Sequence, residues 1–191
     1  DCHEQTEAEI ADAAVAHSPA TEGEACLVCH TPHAGDYPTL MADRSAVICM
    51  DCHNDAIDAG SRGTVAAIQG VFVEGMSKHG PIGEGECRGC HTPHGGDRRD
   101  LLAGRYTEAF YAFYDPAEYE LCFSCHDESL ATKRRVDADA PDNAEPAAEQ
   151  LPGALPGAAT AFRNGELNLH YLHVNKRSGR TCRVCHATHT S

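Results

Sequence analysis

The sequence predicts a fold of mostly irregular loops and short α-helices with little β structure, built around groups that are not part of the polypeptide. The first observation is the small supply of apolar bulk, since the 191 residues include no Trp, six Tyr and five Phe. A chain of this length that is rich in Ala, Gly, Asp and Glu cannot bury an ordinary hydrophobic core. The second observation is that ten of the eleven cysteines fall in one recurring five-residue motif. Together they indicate that covalently attached groups replace the missing core.

The motif is Cys-x-x-Cys-His, and it occurs five times. Two thiols about one turn apart can each form a thioether to the same porphyrin edge, and the adjacent imidazole then lies under the iron as an axial ligand. The predicted attachment cysteines are Cys26, Cys29, Cys49, Cys52, Cys87, Cys90, Cys122, Cys125, Cys182 and Cys185. The predicted axial ligands are His30, His53, His91, His126 and His186. The fold class is therefore that of a multihaem cytochrome, with loops and short helices wrapped around a chain of five c-type haems.

Zinc ribbons and disulfide frameworks also use paired cysteines. Neither arrangement requires a histidine directly after the second cysteine, and here that histidine follows every pair. The pattern therefore favours haem over structural zinc or disulfides.

The eleventh cysteine leaves a sixth haem open. Asp1-Cys2-His3 matches the end of the second motif, Asp51-Cys52-His53, but a preceding cysteine would fall before the first residue. One alternative is a haem with His3 as its axial ligand, attached through Cys2 alone or also through a cysteine that precedes Asp1. The other is a leftover thiol beside a surface histidine.

An internal repeat organises residues 1–191 into a single multihaem unit. Each repeat contains a leading histidine, a first Cys-x-x-Cys-His motif, a histidine three residues later, and then a second motif. The predicted segments are repeat 1 at 17–53, repeat 2 at 79–126, a half repeat at 170–189, and an acidic linker rich in Pro and Ala at 136–161.

Histidines outside the motifs supply candidates for the second axial ligand of each iron. They are His17, His33, His79, His94, His170, His173 and His189, and the sequence leaves open which of His170 and His173 is spare. His33, His94 and His189 each follow a motif histidine by three residues, so both side chains project from the same side of a helical turn. Two ligands of one iron must approach from opposite faces. Each of these three histidines is therefore predicted to bind a different haem from its neighbour, which brings two porphyrins close together.

The pattern H-x-P, C-x-x-C-H-x-P-H and then L-C-x-x-C-H resembles the doubled-CXXCH family of multihaem cytochromes. The resemblance covers nearly the whole chain, although the third copy has Ala187-Thr188 in place of Thr-Pro. It implies haems with two histidine ligands, arranged in close pairs. It also implies electron transfer in respiratory chains that reach extracellular or mineral acceptors.

Two functions follow from such a cofactor set. The first is electron conduction without a reaction of its own, and the alternative is an electron-transfer subunit or domain of a multihaem reductase of the nitrite or hydroxylamine type. A catalytic iron needs an open coordination position, whereas two histidine ligands fill both axial positions. All five motifs end in histidine and further histidines are plentiful, so we expect that the protein is not an enzyme.

The formal charge of −14 argues against nucleic acid or an anionic membrane as a partner. No stretch is long enough for a membrane-spanning helix. Because haem c is attached outside the cytoplasm, the expected location is extracellular or periplasmic, with a signal sequence that is not present in this chain. The expected partners are other cytochromes or extracellular electron acceptors.

The incomplete repeats at the two ends predict one of two arrangements. The chain is a segment of a longer cytochrome, or its copies join head to tail and complete a haem pair across the interface through His189 or His3. A contact of that kind does not close on itself, so it would generate an extracellular filament, a nanowire.

Two local predictions concern the polypeptide itself. Thr6-Glu7-Ala8-Glu9 is a capping-box pattern, and it predicts a helix that carries His17 at its C-terminal end and stops at Ser18-Pro19. Six aromatic residues between 104 and 121 are predicted to pack against haem; they are Tyr106, Phe110, Tyr111, Phe113, Tyr114 and Tyr119.

Overall fold

The computed structural model describes residues 3–134 and 160–189, and it confirms a fold of loops and short helices with little β structure. The α-helices are α1 (Glu4–Asp12), α2 (Ser18–Thr21), α3 (Ser45–His53), α4 (Gly80–Gly83), α5 (Glu120–Phe123), α6 (Ser129–Thr132) and α7 (Leu169–Val174). Single 3₁₀ turns lie at Ala25–Val28, Pro38–Leu40, Gly60–Arg62, Gln69–Phe72, Cys87–Gly89, Arg99–Leu101, Pro116–Tyr119 and Cys182–Val184. Within the described ranges, no helix has the length and apolar character needed to cross a membrane.

The β structure consists of antiparallel pairs of two-residue strands. The strands are β1 (Ile57–Asp58), β2 (Thr64–Val65), β3 (Tyr111–Ala112), β4 (Arg163–Asn164), β5 (Leu167–Asn168) and β6 (Gly179–Arg180). β1 pairs with β2 and β4 with β5 as local hairpins, while β3 pairs with β6 across a long stretch of sequence. Such short strands bury no face of a sheet, so they join loops rather than build a core.

The chain divides into two compact units. The first comprises the described residues up to Ala103 together with Thr188 and His189, and the second comprises those between Gly104 and Ala187. The boundary falls inside the second repeat predicted from the sequence. The boundaries of the sequence repeats therefore do not coincide with the boundary between the two compact units.

Very few apolar side chains are buried. Among the described residues they are Tyr119, Ala131 and Val174, all in the second unit. Large apolar side chains within the motifs are instead exposed, such as Leu27 and Val28 of the first motif at 52% and 47%. Consistent with the small apolar content of the sequence, residues 3–134 and 160–189 do not form a conventional hydrophobic core.

Buried polar side chains hold the second unit together. The Asn168 side chain is fully buried, and it donates to the carbonyls of Leu130 and Lys133 at 2.8 Å each. Its oxygen accepts from the backbone N–H of His170 at 2.9 Å, which caps the start of α7. Asn168 therefore connects α6 to α7 by satisfying backbone groups that no helix or sheet pairs.

The prediction for the first helix is wrong. α1 begins at Glu4, before the proposed capping box, and it ends at Asp12, well short of His17. Val15 leaves the helical path because it forms a β-bridge with Gly96, with Val15 N to Gly96 O at 2.8 Å. Pro19 does not stop a helix; it occupies the first turn of α2, where a missing N–H costs nothing.

The remaining sequence predictions concern the aromatic residues between 104 and 121, Cys2 and the linker. Of the six aromatic residues between 104 and 121, Tyr119 is buried, while Phe110 and Phe113 are exposed. Cys2 and nearly all of the linker at 136–161 lie outside the described residues.

We predict that Asn168→Ala lowers the free energy of unfolding of the haem-loaded protein by about 2–3 kcal/mol, because it removes two part-buried hydrogen bonds to the Leu130 and Lys133 carbonyls and also removes a helix cap. Urea unfolding followed by circular dichroism measures the change. Asn164→Ala, at an exposed asparagine of the same hairpin, serves as the control and should be nearly neutral. Equal effects of the two substitutions would contradict the role given to Asn168.

Candidate functional site

Each motif folds as one tight turn that presents its cysteines and histidine together. In the first motif the backbone N–H of His30 donates to Cys26 O at 2.9 Å, and the same bond recurs from His186 to Cys182 at 2.9 Å. The second motif is the C-terminal half of α3. A bond that spans four residues is a helical turn, so the two thiols and the imidazole of a motif lie along one short segment.

Within the described residues, at least four histidine pairs bring a motif ring opposite a ring from outside the motifs. The ring centroids are 6.4 Å apart for His17 and His53, and 6.2 Å apart in the other three pairs. Those three pairs are His30 with His94, His91 with His189, and His170 with His186.

These separations are too large for rings in direct face-to-face contact, which requires about 3.5–4 Å between atoms. They fit two imidazoles bound to opposite sides of one metal ion. A metal–nitrogen bond of about 2 Å, with roughly 1 Å more from nitrogen to ring centre, places two such centroids about 6 Å apart. The distances therefore match the spacing that two axial histidines of one iron require.

The pairing passes over the nearest histidine in sequence. His30 lies opposite His94 and not His33, and His91 lies opposite His189 and not His94. His94 follows the motif histidine His91 by three residues, and His189 follows the motif histidine His186 by three residues. In both pairs, the histidine that follows one motif therefore lies opposite the motif histidine of the preceding repeat.

The remaining candidates occupy several environments. His3 and His33 are exposed, and no imidazole faces either of them within the described residues. His173 lies beside Phe162, with ring centroids 5.3 Å apart. His79 contributes to lowering the pKa of His189, and His126 contributes to lowering the pKa of His170. Each of these two histidines therefore lies near the one whose pKa it lowers.

Three of the paired histidines have a pKa that is shifted toward the neutral form. Burial is the main cause that lowers the pKa of His53, His170 and His189 below the ordinary value, and the facing imidazoles of His17, His186 and His91 respectively lower it further. A second positive charge beside a first is unfavourable, and burial penalises the charged form. Neutral imidazole is the form that binds a metal.

One ring in each pair is fixed through its Nδ1 atom. The acceptors are the carbonyl of Pro93 for His17 at 2.7 Å, that of Thr39 for His30 at 3.0 Å, and that of Asp100 for His91 at 2.8 Å. His170 Nδ1 lies 3.1 Å from the Thr160 hydroxyl. When Nδ1 donates its hydrogen to an acceptor, the lone pair is on Nε2, which is then free to bind a metal.

The two carbonyls that fix His30 and His91 belong to residues with a left-handed backbone conformation. Thr39 and Asp100 both have a φ of 57°, and the residues after them, Leu40 and Leu101, have φ values of 55° and 54°. Each residue of this kind costs roughly 1–2 kcal/mol relative to right-handed backbone. Sequence reasoning missed these residues, although the matching stretches Leu40-Met41-Ala42 and Leu101-Leu102-Ala103 belong to the internal repeat.

The first cysteines of two successive motifs lie side by side in each unit. Cys49 shares a hydrogen bond with Cys87, which lowers the pKa of Cys87 to about 7 and raises that of Cys49. The hydrogen bond between Cys122 and Cys182 likewise lowers the pKa of Cys182 and raises that of Cys122. Because the two thiols of each pair are in contact, groups attached to them would also lie edge to edge.

The residues fit haem c. A pair of thiols and an imidazole on one turn, a second imidazole about 6 Å from the first, and exposed apolar side chains around them suit a flat, largely apolar macrocycle with a central metal. The ten motif cysteines form no disulfides. Among the described residues, no cluster of three or more His, Cys, Asp or Glu side chains is arranged to hold a bare metal ion.

Comparison with known families gives one match. Residues 17–58 and 79–131 match the family described as the doubled CXXCH motif. No curated protein and no solved structure matches the chain.

Proposed function

The chain belongs to the doubled CXXCH family and is a multihaem c-type cytochrome, and we propose that it conducts electrons between closely spaced haems that each have two histidine ligands. Haem c, when bound, supplies a reversible one-electron iron couple. The observation that carries the proposal is the set of four histidine pairs with centroids 6.2–6.4 Å apart. In every pair one ring belongs to an attachment motif and the other does not.

We assign four ligand pairs from these distances. His30 is paired with His94, His53 with His17, His91 with His189, and His186 with His170. For the fifth motif, His126, we propose His173, which lies in the same unit and whose Nδ1 is 2.7 Å from the Leu169 carbonyl. That bond leaves its Nε2 free.

Close spacing of the haems is supported by the touching thiols. Cys49 beside Cys87, and Cys122 beside Cys182, would hold two porphyrin edges against each other. Short separations between redox groups are what a path of several electron-transfer steps requires.

We propose that the protein has no catalytic reaction of its own. Two imidazoles on each iron leave no position for a substrate, so the protein controls spacing, ligand orientation and local polarity. This favours electron conduction over the reductase alternative. We place the protein outside the cytoplasm, where haem c is attached, with other cytochromes or extracellular acceptors as its partners.

We predict that His94→Ala converts one haem, the one attached at Cys26 and Cys29, from low spin to high spin, because it opens one coordination position. Electron paramagnetic resonance and carbon monoxide binding measure the change. The intact mass should show at least five covalent haems both in this variant and in the unaltered protein, which separates loss of a ligand from loss of the cofactor.

The matched variant His33→Ala tests whether an exposed histidine three residues after a motif histidine binds an iron. A new high-spin haem would place His33 on an iron, as the sequence predicts, whereas an unchanged spectrum would make it a surface residue. A fully low-spin spectrum for His94→Ala would contradict the pairing of His94 with His30.

Head-to-tail assembly into a filament is the finer form of the proposed function. Of its two expected ligands, His189 faces His91 of the same chain, whereas His3 is exposed and faces no imidazole within the described residues. We expect electron microscopy of the purified protein to show filaments that His3→Ala shortens or abolishes. Monodisperse particles at all concentrations would contradict assembly and leave the electron-conducting function intact.

A further inference from the structure

Two loops, at residues 36–42 and 97–103, repeat the same set of backbone contacts with the motif before them. In the first, Thr31 N donates to Leu40 O at 2.8 Å and Ala42 N donates to Cys29 O at 2.9 Å. In the second, Thr92 N donates to Leu101 O at 2.8 Å and Ala103 N donates to Cys90 O at 2.9 Å. Each loop is therefore tied to its motif on both sides of the motif histidine.

The left-handed residues are the part of each loop that reaches the histidine ring. Thr39 and Asp100 occupy equivalent places, with φ and ψ of 57° and 26° in one and 57° and 19° in the other. Their side chains share little chemistry, and that of Asp100 is 64% exposed. What the two loops have in common is therefore the direction of the backbone carbonyl, which is aimed at Nδ1 of His30 or His91.

This carbonyl is the polar partner of the motif histidine ring. Neither His94 nor His189 makes a side-chain hydrogen bond within the described part of the chain, whereas His30 and His91 each make one. An acceptor at Nδ1 fixes the tautomer and the orientation of the ring, and it makes Nε2 a stronger electron donor. A stronger donor stabilises oxidised iron relative to reduced iron and so lowers the reduction potential.

We propose that Thr39 and Asp100 are positioning residues, whose left-handed backbone holds a carbonyl against the motif histidine and thereby lowers the reduction potential of the haem on that histidine. The inference rests on the proposed ligation by His30 and His91. Strained backbone that persists at two equivalent places in one chain needs surroundings that impose it, and the bonds on either side of each motif histidine supply them.

The test compares Asp100→Pro with Asp100→Gly. Both substitutions remove the carboxylate and its ion pair with Arg99, so the electrostatic change is the same. Proline fixes φ near −65° and cannot keep the carbonyl in place, while glycine tolerates a positive φ. Proline also removes the N–H of residue 100, which makes no hydrogen bond within the described residues.

For the proline variant we expect the reduction equilibrium of the haem at Cys87 and Cys90 to shift about tenfold toward the reduced form relative to the glycine variant, about 59 mV for one electron. Spectroelectrochemical titration of the haem-loaded proteins measures this shift. The paramagnetically shifted Nδ1–H resonance of His91 should persist in the glycine variant and be lost by fast exchange in the proline variant. Equal potentials and equal resonances in the two variants would overturn the proposal.

A measurement on the unaltered protein keeps the proposal testable if the proline variant loses haem or does not fold. In deuterated water, the Nδ1–H of His91 should exchange more slowly than that of His189, and the Nδ1–H of His30 more slowly than that of His94. Equal rates within each pair would overturn the role of the loops. Absence of covalent low-spin haem in the unaltered protein would instead count against the proposed function, so the two failures are distinguishable.

Discussion

Two imidazoles that bind the iron of one haem must approach it from opposite faces of the porphyrin, and we propose that the organisation of this chain follows from that requirement. A Cys-x-x-Cys-His turn supplies one imidazole and fixes the group to the backbone, so the second imidazole must come from another part of the chain. The described residues meet this requirement with rings such as His94 opposite His30 and His189 opposite His91. In these two pairs successive repeats are interlaced, since the motif histidine faces a side chain from the repeat that follows.

The same requirement explains how a chain with so little apolar bulk adopts a defined structure. Tyr119, Ala131 and Val174 are the buried apolar side chains of the described residues, far fewer than an ordinary domain of this length contains. Buried polar anchors such as Asn168 and Thr181 join loops by pairing with backbone carbonyls. We infer that attached haem provides the remaining stabilisation, as bound metals do in other small domains that lack a core.

What the sequence could predict is what is encoded locally. The attachment motifs are five-residue patterns, and the loop-rich fold follows from composition, so both could be read directly. The facing ring of each histidine could not be predicted, because partners such as His91 and His189 lie far apart in the sequence. The helix predicted to reach His17 is shorter because Val15 pairs with Gly96, a contact that no local pattern contains. The left-handed backbone at Thr39 and Asp100 was not predicted either, because Thr rarely adopts that conformation and the enrichment of Asp in it is too weak to locate it from the sequence.

The central claim is that the facing histidines are pairs of axial ligands. Diffraction from crystals of the haem-loaded protein at the iron absorption edge tests it most directly, because anomalous scattering locates each iron independently of the polypeptide. We expect one iron between the Nε2 atoms of His30 and His94, and another between those of His91 and His189. An iron bound to His30 whose opposite ligand is water, methionine or a histidine other than His94 would contradict it.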